Sequence, residues 1–457
     1  MIEKVFGFFK EFSKIPHGSG NTKQISDYLV NFAKERNLKY YQDKLNNVII
    51  IKEAGKGYEN APAVIIQGHM DMVCAKDADC KKDMAKEGLD IYDDGEFLYA
   101  KGTTLGADNG IAVAYALALL DSNENYPQIE AVITVDEEIG LLGASFIDLS
   151  MLKGKIMLNI DSEAEGIFTA GCAGGLRCNC NFDVEREAFC GNIYKITLKG
   201  LQGGHSGIDI NKKRLNANKL MVELLSTLCN VRIISLEGGS ADNVIPSSCT
   251  AVIVADKVEF NLEKYKDAEP DIKVEIEKVE CDILPLNKAS TEKIINAISE
   301  MPNGVQAMHT DIEGLVKTSL NMGILKTTSN MASISFCVRS SSDTDKYALT
   351  DKIKKITKKY NGTSDVQGDY CGWDYKKDSP LRQLMCEIYE KQYGKKPVID
   401  IIHAGLECGI LSSKIKNLDC ISYGPDLYDI HTPKERVNIK SAERVWEFTK
   451  AILKEIK

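Results

Sequence analysis

The sequence lacks any stretch close to the roughly 18 consecutive apolar residues of a membrane-spanning helix. It also lacks a basic excess, since 57 lysines and arginines stand against 66 acidic residues, a formal net charge of −9. Nucleic-acid-binding proteins need a basic surface, so this balance argues against that class. The amino-terminal segment reads as a short amphipathic helix without the apolar core and cleavage site of a signal peptide. We therefore expect a cytoplasmic protein with neither a membrane nor a nucleic acid as partner.

Disulfide and zinc-finger spacings are missing as well. The 14 cysteines are scattered, and no two of them form a CxxC pair. A chain of 457 residues can bury a large core without crosslinks, so we interpret the cysteines as free thiols in a reducing compartment. Cys178 and Cys180 could bind a metal ion, but small apolar side chains on a strand are the simpler interpretation.

Helix and strand patterns alternate over the first 170 or so residues, which predicts an α/β domain with a mixed sheet flanked by helices. After about residue 172, longer strand patterns mix with helical ones and predict a separate α+β domain. A polar, glycine-rich segment at 362–377 then leads into short strands and a final amphipathic helix. We therefore predict one domain from residues 1–172 and 378–457, interrupted by an inserted domain of residues 173–377.

His69 is one of only six histidines, and it comes directly after the apolar run Ala63–Gln67. Asp71 lies two residues further on, hence on the same side of an extended chain. A carboxylate at that position can accept the second imidazole N–H and orient the ring as a metal ligand. A histidine that merely ends a strand at a turn is the alternative interpretation.

Acidic side chains follow other strand and loop patterns. Asp108 ends a glycine-rich loop, where it could also simply cap the next helix. Glu137 and Glu138 lie in the run DEEIG at the end of an apolar strand. Successive carboxylates there are costly unless a cation neutralises them, although a solvated acidic turn is equally consistent. Asp161 follows a further apolar strand.

Open α/β sheets place their ligands beyond the carboxyl ends of strands, so we expect these side chains at one edge of the sheet. His431 joins them from a loop after the strand pattern Cys420–Tyr423. Two histidines with several carboxylates suit a divalent ion such as zinc, which takes nitrogen and oxygen ligands, or a pair of ions.

The motifs GHMDMV, GTTLGADNG, DEEIG and LNIDSE, with a late histidine in a proline-containing loop, resemble the co-catalytic zinc peptidases related to aminoacylase and carboxypeptidase G. Within that family the bacterial Xaa-His (aminoacyl-histidine, carnosinase-like) dipeptidases are the most similar group. The resemblance runs from IPHGSGNT through GGHSGIDI, NVIPSS and HAGLECG to HTPKERV, and so covers nearly the whole chain. It implies a zinc exopeptidase-like catalytic domain interrupted by an α+β lid domain.

The resemblance implies two zinc ions per subunit, for which Mn²⁺ or Co²⁺ could substitute. Their ligands would be histidine nitrogens and carboxylate oxygens: His69 and Asp161 at one ion, Glu138 and His431 at the other, and Asp108 between them. Two such ions would lower the pKa of a water towards ~7 and polarise the scissile carbonyl.

The resemblance also implies catalytic side chains. Asp71 would orient His69, and Glu137 would act as general base. His205 in the inserted domain would stabilise the oxyanion, from the lid or from a partner subunit, although a surface loop histidine is the alternative.

Three further positions, Asn243, Arg339 and Gly405, are similar to ones that hold the substrate backbone or its terminal carboxylate. An arginine fork binds a carboxylate in a bidentate manner, but a strand-end arginine could equally form a salt bridge.

The sequence thus predicts a metallopeptidase that hydrolyses Xaa-His and related dipeptides. The same hydrolase acting on tripeptides or N-acyl amino acids is the nearest alternative, because the catalytic residues barely distinguish these substrates. A metal-dependent binding protein that has lost catalysis would lack the base or a ligand, and none is missing. The expected partner is a small peptide, and a homodimer remains open.

Overall fold

A computed structural model describes residues 2–310, 312 and 314–457. Its α-helices are, in chain order, α1 (Ile2–Phe12), α2 (Lys23–Glu35), α3 (Ala107–Leu120), α4 (Leu142–Phe146), α5 (Ala217–Ser226), α6 (Lys288–Glu300), α7 (Asp343–Lys359), α8 (Pro380–Tyr393), α9 (Glu407–Lys414) and α10 (Ile439–Glu455). None of the described helices combines the length and the apolar character that crossing a membrane would require.

The strands are, in chain order, β1 (Lys39–Gln42), β2 (Val48–Lys52), β3 (Val64–His69), β4 (Ile91–Asp93), β5 (Phe97–Ala100), β6 (Ile129–Thr134), β7 (Ile156–Asn159), β8 (Ile167–Cys172), β9 (Gly174–Asp183), β10 (Asn192–Lys199), β11 (Gly204–His205), β12 (Arg232–Gly238), β13 (Val244–Ile245), β14 (Cys249–Ala255), β15 (Lys273–Lys278), β16 (Gly304–Met308), β17 (Val316–Thr327), β18 (Met331–Ser340), β19 (Thr363–Tyr370), β20 (Val398–Ile402), β21 (Asp419–Ser422), β22 (Leu427–Tyr428) and β23 (Arg436–Asn438). Two short 3₁₀ helices cover Ile210–Lys212 and Glu263–Tyr265.

The chain divides into two compact units. The first comprises Met1–Gly171, Tyr375–Ile401 and Leu406–Lys457, and the second comprises Cys172–Asp374 and Ile402–Gly405. The first unit therefore contains both ends of the chain. The return of residues 402–405 to the second unit has no counterpart in the domain bounds predicted from the sequence. That the second unit acts as a lid stays a prediction.

The first unit contains an eight-stranded mixed sheet in the order β1-β2-β6-β3-β7-β21-β8-β20. Its middle strands β6, β3, β7 and β21 run parallel to one another. Every residue of β3 and β6 is buried, which explains the nearly continuous apolar sequence of both strands. The predicted mixed sheet with flanking helices is confirmed.

Helices cover both faces of this sheet. Side chains alternate along β3, so Gln67 and Gly68 point to opposite faces. Gly68 lies against Asn109 of α3, whereas Gln67 hydrogen-bonds Glu407 of α9. Every residue of α3 except Asp108 is buried, so this helix has no polar face.

The parallel strands position the predicted acids and one histidine. His69 is the last residue of β3, Glu137 and Glu138 follow β6, and Asp161 follows β7. Because parallel strands end at the same edge, these side chains are delivered together. His431 instead follows β22, which belongs to a small sheet ordered β22-β23-β5-β4.

The second unit contains a nine-stranded antiparallel sheet in the order β15-β10-β14-β12-β17-β18-β9-β19, with β16 beside β17. Helices α5, α6 and α7 pack on it. Burial alternates along β9 and β10, as expected for a sheet with one face on the core. A separate two-stranded ribbon, β11-β13, carries His205.

Candidate metal centre

Three of the predicted ligands form one group at the edge of the mixed sheet. His69 Nε2 lies 3.3 Å from Asp108 Oδ1 and 3.5 Å from Asp161 Oδ1. All three ligand atoms lie within 4.8 Å of one another. His69 is only 1% exposed, so its ring is held in one orientation by its surroundings.

A second group shares Asp108 with the first. His431 Nε2 lies 3.0 Å from Glu138 Oε1 and 3.3 Å from Asp108 Oδ2. Asp108 therefore directs one carboxylate oxygen at each histidine. A side chain that bridges two cations requires this arrangement. A further combination of ligand atoms, from His69, Glu137 and Glu138, also lies within 4.8 Å.

Burial and mutual repulsion disfavour negative charge at this edge. Burial raises the pKa of Asp161, and it raises the pKa of Glu137 well above its ordinary value. Burial together with Asp108 and Asp161 raises the pKa of Glu163 to about 7. Carboxylates packed this closely are stable as anions only beside positive charge. The two groups that share Asp108 each offer imidazole nitrogen and carboxylate oxygen, the donors that zinc accepts. Each of these two groups therefore fits a divalent cation.

The pKa values of the two histidines are also raised, which favours the positively charged form of each ring. Burial lowers the pKa of His69, but hydrogen bonds to the carboxylates around it, Asp108 first, raise that pKa well above the ordinary value. Hydrogen bonds to Asp108 and Glu138 raise the pKa of His431 to about 10. Imidazole must be neutral to bind a metal, so protons compete with cations for these nitrogens.

Asp71 contacts two parts of the site. His69 Nδ1–H donates to the main-chain carbonyl oxygen of Asp71 at 2.9 Å, whereas the Asp71 carboxylate lies 3.5 Å from that nitrogen. The carboxylate accepts hydrogen bonds from the Glu137 main-chain N–H (3.1 Å) and from the Ser19 hydroxyl (2.8 Å). The carbonyl thus orients the ring more closely than the predicted carboxylate does, and the carboxylate holds the loop that carries Glu137.

Two buried acids outside the predicted set lie beside these residues. Glu407 accepts hydrogen bonds from Gln67 Nε2 (2.5 Å) and Thr134 Oγ1 (2.7 Å), and burial raises its pKa to about 7. Glu435 accepts hydrogen bonds from the main chain of the loop that precedes α3. Both acids occur in motifs quoted above, HAGLECG and HTPKERV, but their partners are 273 to 340 residues away in the chain. No local pattern could identify those partners.

His205, in the second unit, presents a defined hydrogen-bond donor. Its Nδ1 accepts main-chain N–H bonds from Gly207 and Ile208, both at 3.2 Å, which leaves the ring proton on Nε2. Burial, and next the charge of Arg339, lower the pKa of His205. The side chain is therefore a neutral imidazole with an Nε2–H available to a ligand.

Arg339 is a buried cation near His205. It projects from β18, is 7% exposed, and donates from one terminal nitrogen to the Tyr370 hydroxyl at 3.1 Å. Its Nε has no hydrogen-bond partner among the described residues. Gly405 lies against the same tyrosine, since an added Cβ would come within 2.7 Å of the ring. A buried guanidinium with an unused N–H suits an anionic group such as a carboxylate.

The remaining predicted residue, Asn243, is exposed, and its main-chain carbonyl accepts the Ser206 N–H at 2.9 Å. His403, to which the sequence assigned no role, lies in the same unit, with Nε2 2.7 Å from Ser319 Oγ. Burial, and next Arg339, lower the pKa of His403 to about 3.

A family model described as peptidase family M20/M25/M40 matches residues 65–455. The sequence is 36% identical to the cytosol non-specific dipeptidase of Escherichia coli, over an alignment of 473 residues that covers 99% of this chain and 98% of that protein. The fold is similar to the crystal structure of the aminoacylhistidine dipeptidase from Vibrio alginolyticus, with a TM-score of 0.92, 36% identity, and coverage of 99% of this chain and 96% of that one. A tripeptidase structure from Staphylococcus aureus, 17% identical with a TM-score of 0.57 and covering 99% of this chain and 98% of that one, shares the fold alone.

Proposed function

The chain belongs to peptidase family M20/M25/M40, and we propose that within this family it is a dipeptidase that depends on two metal ions. The observation that carries this proposal is the pair of ligand groups that share Asp108. The names of the two relatives that are 36% identical, both dipeptidases, support it.

We propose zinc as the metal, with Mn²⁺ or Co²⁺ as substitutes. The first ion would be held by His69, Asp161 and Asp108, and the second by Asp108, Glu138 and His431. When bound, the ions would supply Lewis acidity that acidifies a water and polarises the scissile carbonyl.

The chain's own residues would then move the protons. Glu137 takes the proton of the attacking water and passes it to the leaving amine, and burial, which raises its pKa, favours proton uptake. Asp71 holds the main chain of Glu137 in place. The His205 Nε2–H donates to the developing oxyanion, a role that fits its neutral ring. Arg339 binds the terminal carboxylate of the substrate, helped by Asn243 and Gly405.

We propose dipeptides as substrates, with Xaa-His as the preferred class, and the cytoplasm as the location. The Vibrio alginolyticus relative is named for aminoacylhistidine substrates, whereas the Escherichia coli relative is named non-specific and cytosolic. A range wider than Xaa-His is therefore consistent with the proposal. A homodimer stays a prediction, which the mass of the purified protein in solution would test.

The experiment is a substrate panel with the purified chain, stripped with a chelator and reloaded with Zn²⁺, Mn²⁺ or Co²⁺. Ala-His is compared with Ala-Leu, with the tripeptide Ala-Ala-His, with N-acetyl-histidine, and with Ala-His amide, which lacks the terminal carboxylate. We expect metal-dependent hydrolysis of the two dipeptides, fastest for Ala-His, and poor hydrolysis of the amide.

Faster hydrolysis of the tripeptide or of N-acetyl-histidine would replace the dipeptidase proposal with one of the alternative substrates. Binding of metal without hydrolysis of any compound would point to a non-catalytic protein. Full activity in the chelator-stripped chain would contradict the metal centre itself.

A further inference from the structure

Glu435 makes four hydrogen bonds to consecutive main-chain N–H groups. Its Oε2 accepts from Leu105 (2.9 Å) and Gly106 (3.0 Å), and its Oε1 accepts from Ala107 (2.8 Å) and Asp108 (3.2 Å). The side chain is 2% exposed. One buried carboxylate therefore fixes the main chain of the whole segment that ends in Asp108.

The N–H groups of Ala107 and Asp108 belong to the first turn of α3, and those of Leu105 and Gly106 precede the helix. The first N–H groups of an α-helix lack intrahelical acceptors, and Gly106 at the N-cap of α3 has no side chain to supply one. Asp108 and Asn109 also depart from helical dihedral angles. Buried N–H groups left unpaired are costly, and the positive end of a helix favours an anion. The carboxylate of Glu435 meets both needs.

The same side chain connects the two loops that supply His431 and Asp108. Glu435 lies four residues after His431, and its N–H donates to the carbonyl of Thr432 at 3.1 Å, within the same turn. Asp108 Oδ2 and His431 Nε2 lie 3.3 Å apart. Their main chains are brought together by Glu435, whose own backbone belongs to the His431 turn and whose carboxylate holds the Asp108 loop.

We propose that Glu435 is a positioning residue of the metal centre, which sets the spacing between Asp108 and His431 by holding the Asp108 loop against the His431 turn. The proposal rests on the proposed function in one respect, that these residues bind metal ions. It adds a role for a side chain that lies outside the two ligand groups.

The test compares Glu435→Gln with a matched control, Glu130→Gln. Glutamine keeps the size of the side chain but turns an NH₂ group towards two N–H donors, so it should release part of the 105–108 segment. Glu130 lies in the same unit, is fully buried, and accepts main-chain N–H bonds from Lys153 (2.9 Å) and Gly154 (3.0 Å). Its substitution is therefore a comparable disturbance at a position outside the ligand groups.

Three measurements on the full chain separate positioning from general destabilisation. Hydrogen exchange of the amides at 105–108, without metal, should accelerate in Glu435→Gln and not in Glu130→Gln. The Zn²⁺ affinity, measured against a competing chelator, should fall about 10–100-fold, as it does when a residue behind a ligand is changed. With Ala-His as substrate, kcat should fall by more than KM rises, and Glu435→Asp, which keeps the charge, should recover part of the loss.

The proposal is wrong if Glu435→Gln lowers only the melting temperature, as Glu130→Gln does, with exchange at 105–108 and Zn²⁺ affinity unchanged. If Glu435→Gln does not fold, Glu435→Asp decides instead: unchanged exchange and affinity overturn the proposal, and intermediate values support it. Should the wild-type chain bind Zn²⁺ without hydrolysing dipeptides, the substrate proposal fails, while the affinity comparison still decides the role of Glu435.

Discussion

The two units of this peptidase concentrate opposite charges at their candidate sites. In the first, carboxylates crowd around His69 and His431, and burial raises the pKa of Asp161 and Glu137. In the second, burial, and next the charge of the buried Arg339, lower the pKa of His205 and His403, and Arg339 Nε has no hydrogen-bond partner among the residues that the structure describes. A cluster of carboxylates is stabilised by bound cations, whereas a buried guanidinium is stabilised by a bound anion. From this difference we predict that the first unit binds the metal ions and that the second binds the anionic group of the substrate.

The two sites also differ in how the fold builds them. In the first unit, most of the side chains come from the ends of parallel strands and from one helix start, and His431 joins them from the loop after β22. In the second, Arg339 lies along strand β18, opposite Ser319 on β17. His205 lies on a separate two-stranded ribbon. In an antiparallel sheet neighbouring strands end at opposite edges, so strand ends do not bring functional residues together. The candidate site in the second unit depends instead on contacts between residues far apart in the chain.

The first prediction concerns the side chain shared by both ligand groups. Asp108→Ala should abolish turnover and weaken the binding of both ions, because one carboxylate faces His69 and His431 at once. The loss of affinity should exceed the roughly 10–100-fold caused by changing a residue behind a ligand. Metal analysis after dialysis measures it. Two tightly bound ions in this variant would contradict the proposal that both ligand groups share Asp108.

The second prediction separates the base from the ligands. Glu137→Ala should leave the metal content near that of the wild type while kcat falls by about 10²–10⁴-fold or more, the scale of general-base removal. The matched control is Asp136→Asn, because Asp136 lies in the same acidic run but its carboxylate accepts the Gly20 N–H at 2.6 Å. That control should retain activity. If Glu137→Ala loses an ion, the roles of Glu137 and Glu138 must be exchanged.

The two sites differ in how much of each could be predicted from the sequence. The alternation of helix and strand patterns predicted the sheet flanked by helices, and the quoted motifs predicted the family; both predictions are confirmed. The positions of His69 and Asp161 at the ends of apolar strands predicted that both lie at one edge of the sheet, and Asp108 joins them there from the start of α3. The catalytic role of each residue stays a prediction until variants are measured.

Contacts between residues far apart in the chain could not be predicted from the sequence. Glu435 and Glu407 occur in short motifs that do not indicate their hydrogen-bond partners, and only the tertiary fold brings Glu435 to the loop before α3. The preference of the Asp71 carboxylate for the Glu137 main chain over the His69 ring depends on distances of a few tenths of an ångström. A spacing rule cannot make that distinction.

The third prediction concerns His205 in the second unit. His205→Ala should lower kcat by roughly 10²–10³-fold, the effect of removing one oxyanion donor, with little change in KM or metal content. The reason is that a donor aimed at the oxyanion gains strength only as that charge develops. The control is His309→Ala, at a histidine of the same unit that follows strand β16 and belongs to none of the candidate groups described above, and it should leave kcat unchanged. A kcat near that of the wild type in His205→Ala would reduce this residue to a surface histidine.

The smallest predicted effect concerns Arg339, the buried cation of the second unit. Arg339→Lys keeps the positive charge but loses the planar fork, so KM for Ala-His should rise about 10–100-fold, the equivalent of a lost hydrogen bond to a charged group. Arg177→Lys is the matched control, because Arg177 lies on the adjacent strand and pairs with Asp242 at 2.6 Å. With Ala-His amide, which has no carboxylate, wild type and Arg339→Lys should become nearly equal. An equal loss on both substrates would mean that Arg339 supports the fold around Tyr370 and does not recognise the carboxylate.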